Sequence, residues 1–202
     1  DMRIGTKTGM GGPPGSLRPE NVAAALAGSL ERLRTDYVDL YYIHRDDLVT
    51  PLDEVVTAYN TPFTSGQVKE LGISNYEPDR LLELNATARA MDAQPFTASQ
   101  PLYNLVARDS YEGSLQDFCV EQDIAVMPYY GLAAGFLSGK YQTSADWAGS
   151  QRASSLDDAA ANGGWATLET LRSIANELGA PPSQVALAWI NAQPGIAAPI
   201  SS

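Results

Sequence analysis

The stretch YVDLYYIH, residues 37–44, decides the fold class. Its aromatic and β-branched side chains favour a strand, and it is apolar at most positions instead of at every second one. Continuous apolar strands are typical of parallel sheets, because helices cover both faces of such a sheet. The stretch therefore predicts a buried parallel strand, with His44 as the polar residue at its carboxyl end.

Strand and helix patterns alternate on both sides of this stretch. Apolar runs predict five more strands, at residues 2–6, 68–73, 96–99, 124–129 and 196–200. Between them apolar residues recur at helical spacing, and Pro19 and Thr50-Pro51 stand where helices begin. Such alternation predicts parallel strands joined by helical crossovers. It leaves two architectures open, a doubly wound open sheet and a (β/α)₈ barrel, and six strands are fewer than a barrel needs.

Chain length predicts one domain over residues 1–202, since no linker or internal repeat interrupts the pattern. Two places depart from regular alternation. Pro62 is expected to end the second helix early, because its ring clashes with the preceding turn. Residues 142–163, rich in Ser, Ala, Asp and Gly, predict a long loop, and loops of that length are often functional.

The composition argues against some classes of function. A net charge of −11 disfavours binding to nucleic acid, which needs a basic surface to neutralise phosphates. No apolar run approaches the roughly 20 residues needed to cross a bilayer, so we expect no membrane partner. The single cysteine, Cys119, and a start without a signal-peptide pattern fit a reducing compartment, and we expect a cytoplasmic protein.

Polar or amphipathic residues follow five of the predicted strands: Lys7, His44, the pair Ser74-Asn75, Gln100 and Tyr129. In both architectures ligands bind at the carboxyl ends of the parallel strands. Taken singly, each residue has a plainer structural interpretation, such as a solvated strand end, a helix cap at Ser-Asn or a core tyrosine. Because all of them stand at the carboxyl ends of predicted strands, the pattern favours one shared site.

Two other patterns are poor candidates for a site. GMGGPPGS, residues 9–16, follows a strand as a dinucleotide-binding loop would, but Pro14 stands where the GxGxxG pattern needs its last glycine. We interpret this segment as a mobile loop. One histidine and one cysteine, without HExxH or CxxC spacing, do not provide a usual ligand set, so we expect no metal site.

Four longer segments resemble the aldo-keto reductase family. SLERLRTDYVDLYYIHRDD resembles the segment that leads to the family's active-site histidine, and GQVKELGISNY resembles its Ser-Asn cofactor strand. PYYGLAAGFLSGKY with GSQRAS resembles the seventh strand and the loop that crosses the cofactor. PPSQVALAWINAQPGIAAPI resembles the last helix and the eighth strand. The resemblance implies a parallel (β/α)₈ TIM barrel, of which strands 3 to 8 are represented.

The resemblance also implies a chemistry, hydride transfer from NADPH to the carbonyl carbon of a small aldehyde or ketone. Lys7 matches the lysine that lowers the pKa of a tyrosine proton donor, and His44 matches the histidine that orients and polarises the carbonyl. The implied cofactor-binding residues are Ser74, Asn75 and Gln100 at the nicotinamide carboxamide, Tyr129 stacked on the ring, and Gly131, Leu132, Lys140 and Arg152 along the pyrophosphate and ribose.

The sequence departs from the family pattern in places. Pro62 stands where members usually continue a helix, and Tyr130-Gly131 stand where many have Ser-Pro. The family's Asp and its general-acid Tyr belong to two earlier strands without a counterpart in these residues. We therefore expect a longer natural protein, and little reductase activity from this portion alone.

Two other functions stay open. One is a non-catalytic nicotinamide-nucleotide-binding barrel, acting as a redox sensor or auxiliary subunit. The other is a barrel lyase that forms a Schiff base on Lys7. The sequence does not identify the physiological substrate, the preference between NADP and NAD, or the oligomeric state.

Overall fold

A computed structural model of the protein describes residues 2–10 and 13–201. Gly11 and Gly12, in the segment interpreted as a mobile loop, lie outside the described residues. The chain forms two compact units, Asp1–Gln100 and Pro101–Ser202. The single domain expected from the sequence stays a prediction. Among the described residues, each helix is too short or too polar to cross a membrane.

The first unit alternates strands and helices, in the order β1 (Gly5–Thr8), α1 (Pro19–Leu33), β2 (Val38–Ile43), α2 (Leu52–Thr64), β3 (Val68–Ser74), α3 (Pro78–Ala90) and β4 (Ala98–Gln100). β1 pairs with β2, β2 with β3 and β3 with β4, and all three pairs are parallel. Helical crossovers are what parallel neighbours require. The predicted α/β class with parallel strands is confirmed.

Strand β2 is buried on both of its faces. Tyr41 turns towards α1, where its hydroxyl donates to the Val22 carbonyl at 3.2 Å, and its ring lies 5.0 Å from that of Tyr59 on α2. Tyr42 points to the opposite face and is 3% exposed. Alternate side chains thus enter two different apolar environments, which explains why the strand is apolar almost throughout.

The expected early end of the second helix is wrong, because α2 continues through Pro62 to Thr64. Pro62 lies in the last turn of the helix, where its missing N–H removes one hydrogen bond close to the end. Its ring is buried, and the Ser65 N–H still closes the helix on the Thr61 carbonyl at 3.1 Å. Burial of the proline ring therefore offsets the loss of this helix hydrogen bond.

The second unit contains α4 (Ser114–Glu121), β5 (Ala125–Val126), 3₁₀ turns at Ala133–Ser138 and Ser144–Trp147, α5 (Ala153–Ala159), a π turn at Ala160–Gly164, α6 (Trp165–Leu178) and α7 (Pro182–Asn191). The long loop expected over residues 142–163 is therefore wrong, since most of it is helical. Trp147, Leu156 and Ala159 are buried against Phe136 and Leu168, and this packing orders a segment whose own residues favour loops.

The expected strand at residues 196–200 forms one bridge, between Val126 and Ile196. Backbone hydrogen bonds continue past this bridge in the parallel direction. The Ala197 N–H donates to the Val126 carbonyl and the Ile200 N–H to the Pro128 carbonyl, both at 2.8 Å. Pro128 and Pro199 have no N–H to donate. The pairing is therefore broken up, and β5 is shortened to two residues.

Candidate active site

The carboxyl ends of β1 to β4 bring five of the predicted site residues together. Lys7 is the next-to-last residue of β1, His44 follows β2, Ser74 ends β3 and is followed by Asn75, and Gln100 ends β4. Neighbouring parallel strands place these ends along one edge of the sheet. The predicted convergence within the first unit is present in the structure.

Direct hydrogen bonds connect these residues. The Ser74 hydroxyl donates to the backbone carbonyl of Gln100 at 2.7 Å, and Lys7 Nζ donates to Gln100 Oε1. The Asn75 side-chain amide donates to the His44 carbonyl and to Ser74 Oγ, both at 3.0 Å. The strand ends are therefore held together by side chains as well as by the sheet.

The structure contradicts the plainer interpretation of Ser-Asn as a helix cap. Helix α3 begins at Pro78, after Glu77, and no side chain caps its first turn. Asn75 instead takes a left-handed backbone conformation, with φ of 56°, which asparagine adopts more readily than most residues. This turn leaves the Asn75 side chain at the sheet edge, bonded to the end of β2.

Burial and nearby positive charge set the protonation of this edge. Burial lowers the pKa of the Lys7 ammonium. Burial, followed by the charges of Lys7 and Arg45, lowers the pKa of His44 from its ordinary value of 6.5. The imidazole is therefore mostly neutral at pH 7, and a neutral ring still has one N–H to donate.

In the second unit Tyr129 lies three residues beyond the end of β5. Its N–H donates to the Pro101 carbonyl at 2.9 Å, and it forms a parallel bridge with Leu102. The half-buried Tyr129 ring meets that of Tyr130 edge-on, with centroids 5.3 Å apart. Tyr129 also lines a cavity of about 670 Å³, together with Leu102, residues 104–110, Ala159 and Asn162.

The remaining predicted residues follow Tyr129 along the chain. Gly131 is buried and its N–H donates to the Ile200 carbonyl at 3.4 Å, while Leu132 packs against the core around Phe136. The Lys140 ammonium is exposed and lies 4.8 Å from the Tyr141 ring centroid. Arg152 is exposed directly before α5. The first two share one turn with Tyr129, and the two cations lie farther along the segment.

That turn has an unusual backbone. Tyr130, Ala133 and Ala134 have φ of 59°, 49° and 57°, and Gly135 follows with φ of 97°. Left-handed conformations cost roughly 1–2 kcal/mol each for residues other than glycine. Strain of this kind is often found where a backbone must present its N–H groups to a ligand.

Tyr42 was not among the residues predicted from the sequence. Lys7, Tyr42 and Gly72 are register partners across β1, β2 and β3, and the Lys7 ammonium is 5.8 Å from the Tyr42 ring centroid. A signal was available: Tyr42 stands two residues before His44, so both side chains lie on the same face of the strand.

The match to the aldo/keto reductase family extends over residues 1–202. A protein of Arabidopsis thaliana named "Probable voltage-gated potassium channel subunit beta" is 31% identical and aligns with 100% of this chain and 64% of its own length. The "Uncharacterized oxidoreductase YrpG" of Bacillus subtilis is 32% identical over 87% of this chain and 52% of its own length. The "L-glyceraldehyde 3-phosphate reductase" of Escherichia coli is 34% identical over 70% of this chain and 42% of its own length.

A solved structure agrees with these sequence similarities. The crystal structure of a thermostable aldo-keto reductase with the inhibitor epalrestat has a TM-score of 0.75 and 28% sequence identity, and the match covers 100% of this chain and 61% of that chain. The chain thus spans 42–64% of the length of these four proteins. With its parallel strands, alternating helices and polar strand ends, the chain belongs to the aldo/keto reductase family and corresponds to part of that family's TIM barrel.

Proposed function

We propose that this protein is an NADP-dependent oxidoreductase that transfers a hydride from NADPH to the carbonyl carbon of a small aldehyde or ketone. Membership of the aldo/keto reductase family supports an oxidoreductase. The observation that carries the finer proposal is the hydrogen-bonded cluster at the carboxyl ends of β1 to β4, which combines a cation, a neutral imidazole and two amides.

The side chains of this cluster fit a nicotinamide. Ser74, Asn75 and Gln100 offer neutral hydroxyl and amide groups, which complement an uncharged carboxamide better than charged residues would. The family resemblance adds Tyr129 of the second unit, a half-buried tyrosine, as the residue that would stack on the ring. When bound, the cofactor supplies the hydride, and the protein supplies orientation and electrostatics.

The strained turn of the second unit fits the phosphate end of a dinucleotide. Strained backbone of this kind often occurs at ligand sites, and here the Gly131, Ala133 and Gly135 N–H groups already donate to carbonyl groups of the protein. Gly131 and Leu132 belong to this turn, and the Lys140 ammonium lies beside Gly135. Lys140 and Arg152 would add local positive charge in a protein whose net charge is −11.

His44 and Lys7 are proposed to act on the substrate carbonyl. The lowered pKa of His44 keeps its imidazole neutral, so it binds the carbonyl oxygen by donating one N–H. The Lys7 ammonium would stabilise negative charge as it develops on that oxygen, directly or through a proton donor. Both roles need the cluster to exclude water, and burial already lowers the pKa of Lys7.

Cofactor titration tests this proposal directly. We expect NADPH to quench the tryptophan fluorescence of the chain and to bind more tightly than NADH. Replacing Gln100 with Ala should weaken NADPH binding by about 3- to 10-fold, the range for one or two neutral hydrogen bonds. Gln67→Ala is the matched control, since Gln67 is exposed and directly precedes β3, at the other end of the strand. Absence of NADPH binding, or equal losses in the two variants, would contradict the proposal.

A second candidate is an auxiliary subunit that binds the nucleotide without turnover. The similarity to a plant protein named as a potassium channel subunit beta favours it. Both candidates predict NADPH binding, so reduction of 4-nitrobenzaldehyde by the natural full-length protein separates them. Oxidation of NADPH that stops in a His44→Phe variant supports the reductase. Tight NADPH binding without aldehyde-dependent oxidation supports the subunit.

We also propose that the protein works in the cytoplasm on a small-molecule substrate, without a membrane or nucleic-acid partner. The presence of a single cysteine and the acidic composition support this assignment. Fractionation of cells that express the natural protein checks it, and recovery with the membrane fraction would count against it.

A further inference from the structure

Tyr42 occupies the layer of the first unit directly beneath the proposed site. Lys7, Tyr42, Gly72 and Ala98 are register partners across β1 to β4. Register partners in parallel strands point to the same face of the sheet. The Tyr42 side chain therefore shares its face with Lys7, and two residues farther along β2 the same face carries His44.

The ring of Tyr42 fits there because β3 has a glycine beside it. A Cβ atom on Gly72 would lie 2.6 Å from two carbons of the Tyr42 ring, closer than a contact between carbons allows. On the other side the ring approaches Gly5, where a Cβ would lie 3.7 Å away. The ring is thus held flat between two residues without side chains, and Tyr42 is 3% exposed.

Tyr42 contacts two groups of the site, the Lys7 ammonium with its ring and the Gln100 amide with its hydroxyl. The Lys7 ammonium lies 5.8 Å from the ring centroid and donates to Gln100 Oε1. The side chain of Gln100 also hydrogen-bonds the Tyr42 hydroxyl. Against the larger effect of burial, the bond lowers the pKa of Tyr42. This is the effect of a group that donates to the phenol oxygen, so the donor is the Gln100 amide nitrogen. Lys7, Tyr42 and Gln100 therefore form a closed set of contacts.

Burial raises the pKa of Tyr42 to about 12, so its hydroxyl is neutral at physiological pH. The phenol then adds no charge beside Lys7. Its contributions are an aromatic face that attracts the ammonium and an oxygen that accepts from Gln100.

We propose that Tyr42 is a positioning residue for the nicotinamide cofactor, which fixes the amide orientation of Gln100 and the place of Lys7 before the cofactor binds. The inference rests on the proposed function, because Gln100 is the residue through which Tyr42 acts. A side chain already held in its binding orientation loses less conformational entropy on binding. The hydroxyl of Tyr42 should therefore affect cofactor affinity without contacting the cofactor.

The test compares two neighbouring tyrosines on opposite faces of β2. We expect Tyr42→Phe to weaken NADPH binding by about 2- to 10-fold, the effect of one neutral hydrogen bond. Tyr41→Phe also removes buried hydroxyl contacts, to the Val22 carbonyl and to the Thr8 side chain, and should change NADPH affinity by less than 2-fold. Equal effects of the two variants on the dissociation constant would overturn the proposal.

A double-mutant cycle shows whether Tyr42 acts through Gln100. In a Gln100→Ala background, Tyr42→Phe should produce little further loss of NADPH affinity, because the amide it orients is gone. A merely structural role would instead give additive losses in the two variants. Additive losses would therefore overturn the proposal even if both single variants bind NADPH more weakly.

A measurement without cofactor separates this inference from the proposed function. In the unaltered protein the Gln100 side-chain amide protons should exchange with solvent much more slowly than those of exposed Gln67, as observed by ¹⁵N NMR. Tyr42→Phe should speed the exchange at Gln100, and Tyr41→Phe should not. If the protein binds neither NADPH nor NADH, the proposed function fails. The exchange rates still test whether Tyr42 holds the Gln100 amide. Exchange at Gln100 as fast as at Gln67 would overturn the inference by itself.

Discussion

The two units of this protein hold their functional residues in different ways. In the first unit, the register of the parallel strands sets the positions of Lys7, Ser74 and Gln100 along the strands. Hydrogen bonds from the Lys7 and Ser74 side chains to Gln100 link them. In the second unit β5 has two residues, and the segment after Tyr129 runs through turns. A cluster of aromatic rings packs against those turns. The ring centroid of Phe136 lies 4.8 Å from that of Trp165 and 5.8 Å from that of Trp147. Register positions the first set of residues, and packing positions the second.

The largest effect expected from this difference is at Gly164, in the π turn before α6. A Cβ there would lie 2.3 Å from the Ala159 carbonyl oxygen and 2.9 Å from the Phe136 ring. We expect Gly164→Ala to lower the free energy of unfolding by about 2–3 kcal/mol, as in other overpacked sites. Urea denaturation followed by tryptophan fluorescence measures this loss.

The neighbouring glycine is the control for this variant. Gly163 has φ of 78° and open space around its missing Cβ, so Gly163→Ala should cost only the roughly 1–2 kcal/mol of a left-handed alanine. If Gly163→Ala were the more destabilising of the two, backbone conformation instead of packing would control the second unit, and the contrast between the units would fail.

An intermediate effect is expected at Asp47, which holds a loop of the first unit. Its carboxylate accepts from the Leu17, Val49 and Thr50 N–H groups and from the Thr50 hydroxyl, at 2.7 to 3.0 Å. Although burial opposes the shift, these bonds together lower the pKa of Asp47 from 3.8 to about 2.

Because its folded pKa lies below the unfolded one, Asp47 stabilises the fold above about pH 4 and loses that contribution as pH falls towards 2. Partial solvent exposure reduces the contribution to about 1–2 kcal/mol. Asp47→Asn should therefore flatten the fall in unfolding free energy between pH 4 and 2.5. Asp146→Asn is the control from the second unit, since Asp146 is on the surface and, among the described residues, accepts from the Thr143 and Gln142 N–H groups. Equal flattening by both variants would contradict the assignment.

The smallest effect, and the one of opposite sign, is expected at the end of α1. Arg34 follows the helix with φ of 54°, and its N–H and that of Thr35 close the helix on Glu31 and Leu30. Glycine takes this conformation without strain, so Arg34→Gly should raise the unfolding free energy by about 0.5–1 kcal/mol. Arg32→Gly, inside the same last turn, should lower it by about 1 kcal/mol. Thermal denaturation of both variants checks the signs, and a destabilising Arg34→Gly would show that the Arg34 side chain matters more than its backbone.

The sequence predicted the elements of the first unit well, because their signals are local. The alternation of apolar runs and helical patterns located β2, β3 and α1 to within a few residues. The errors lie where long-range packing overrides local preference. Pro62 is tolerated because its ring is buried in the last turn of α2, and residues 142–163 are ordered because Trp147 and Leu156 are buried.

The candidate site divides in the same way. The strand-end pattern indicated Lys7, His44, Ser74, Asn75 and Gln100, and the structure brings these residues together in the first unit. Their catalytic and binding roles, and those of Tyr129, Gly131, Leu132, Lys140 and Arg152, stay predictions that the experiments above address. Tyr42 shares its strand face with His44, but it was missed because its partners on β1, β3 and β4 lie far away in the sequence.

The sequence by itself determined the α/β class, the alternation of strands and helices, and which residues end the strands. These properties follow from the periodicity of apolar residues and from the chemistry of single side chains, which are local. Only the tertiary structure decided that Tyr42 lies against Gly72 and meets Gln100, that the Asn75 amide reaches the end of β2, and that residues 142–163 are ordered. Such contacts depend on strand register and on the filling of the core, and both are set by residues far apart in the chain.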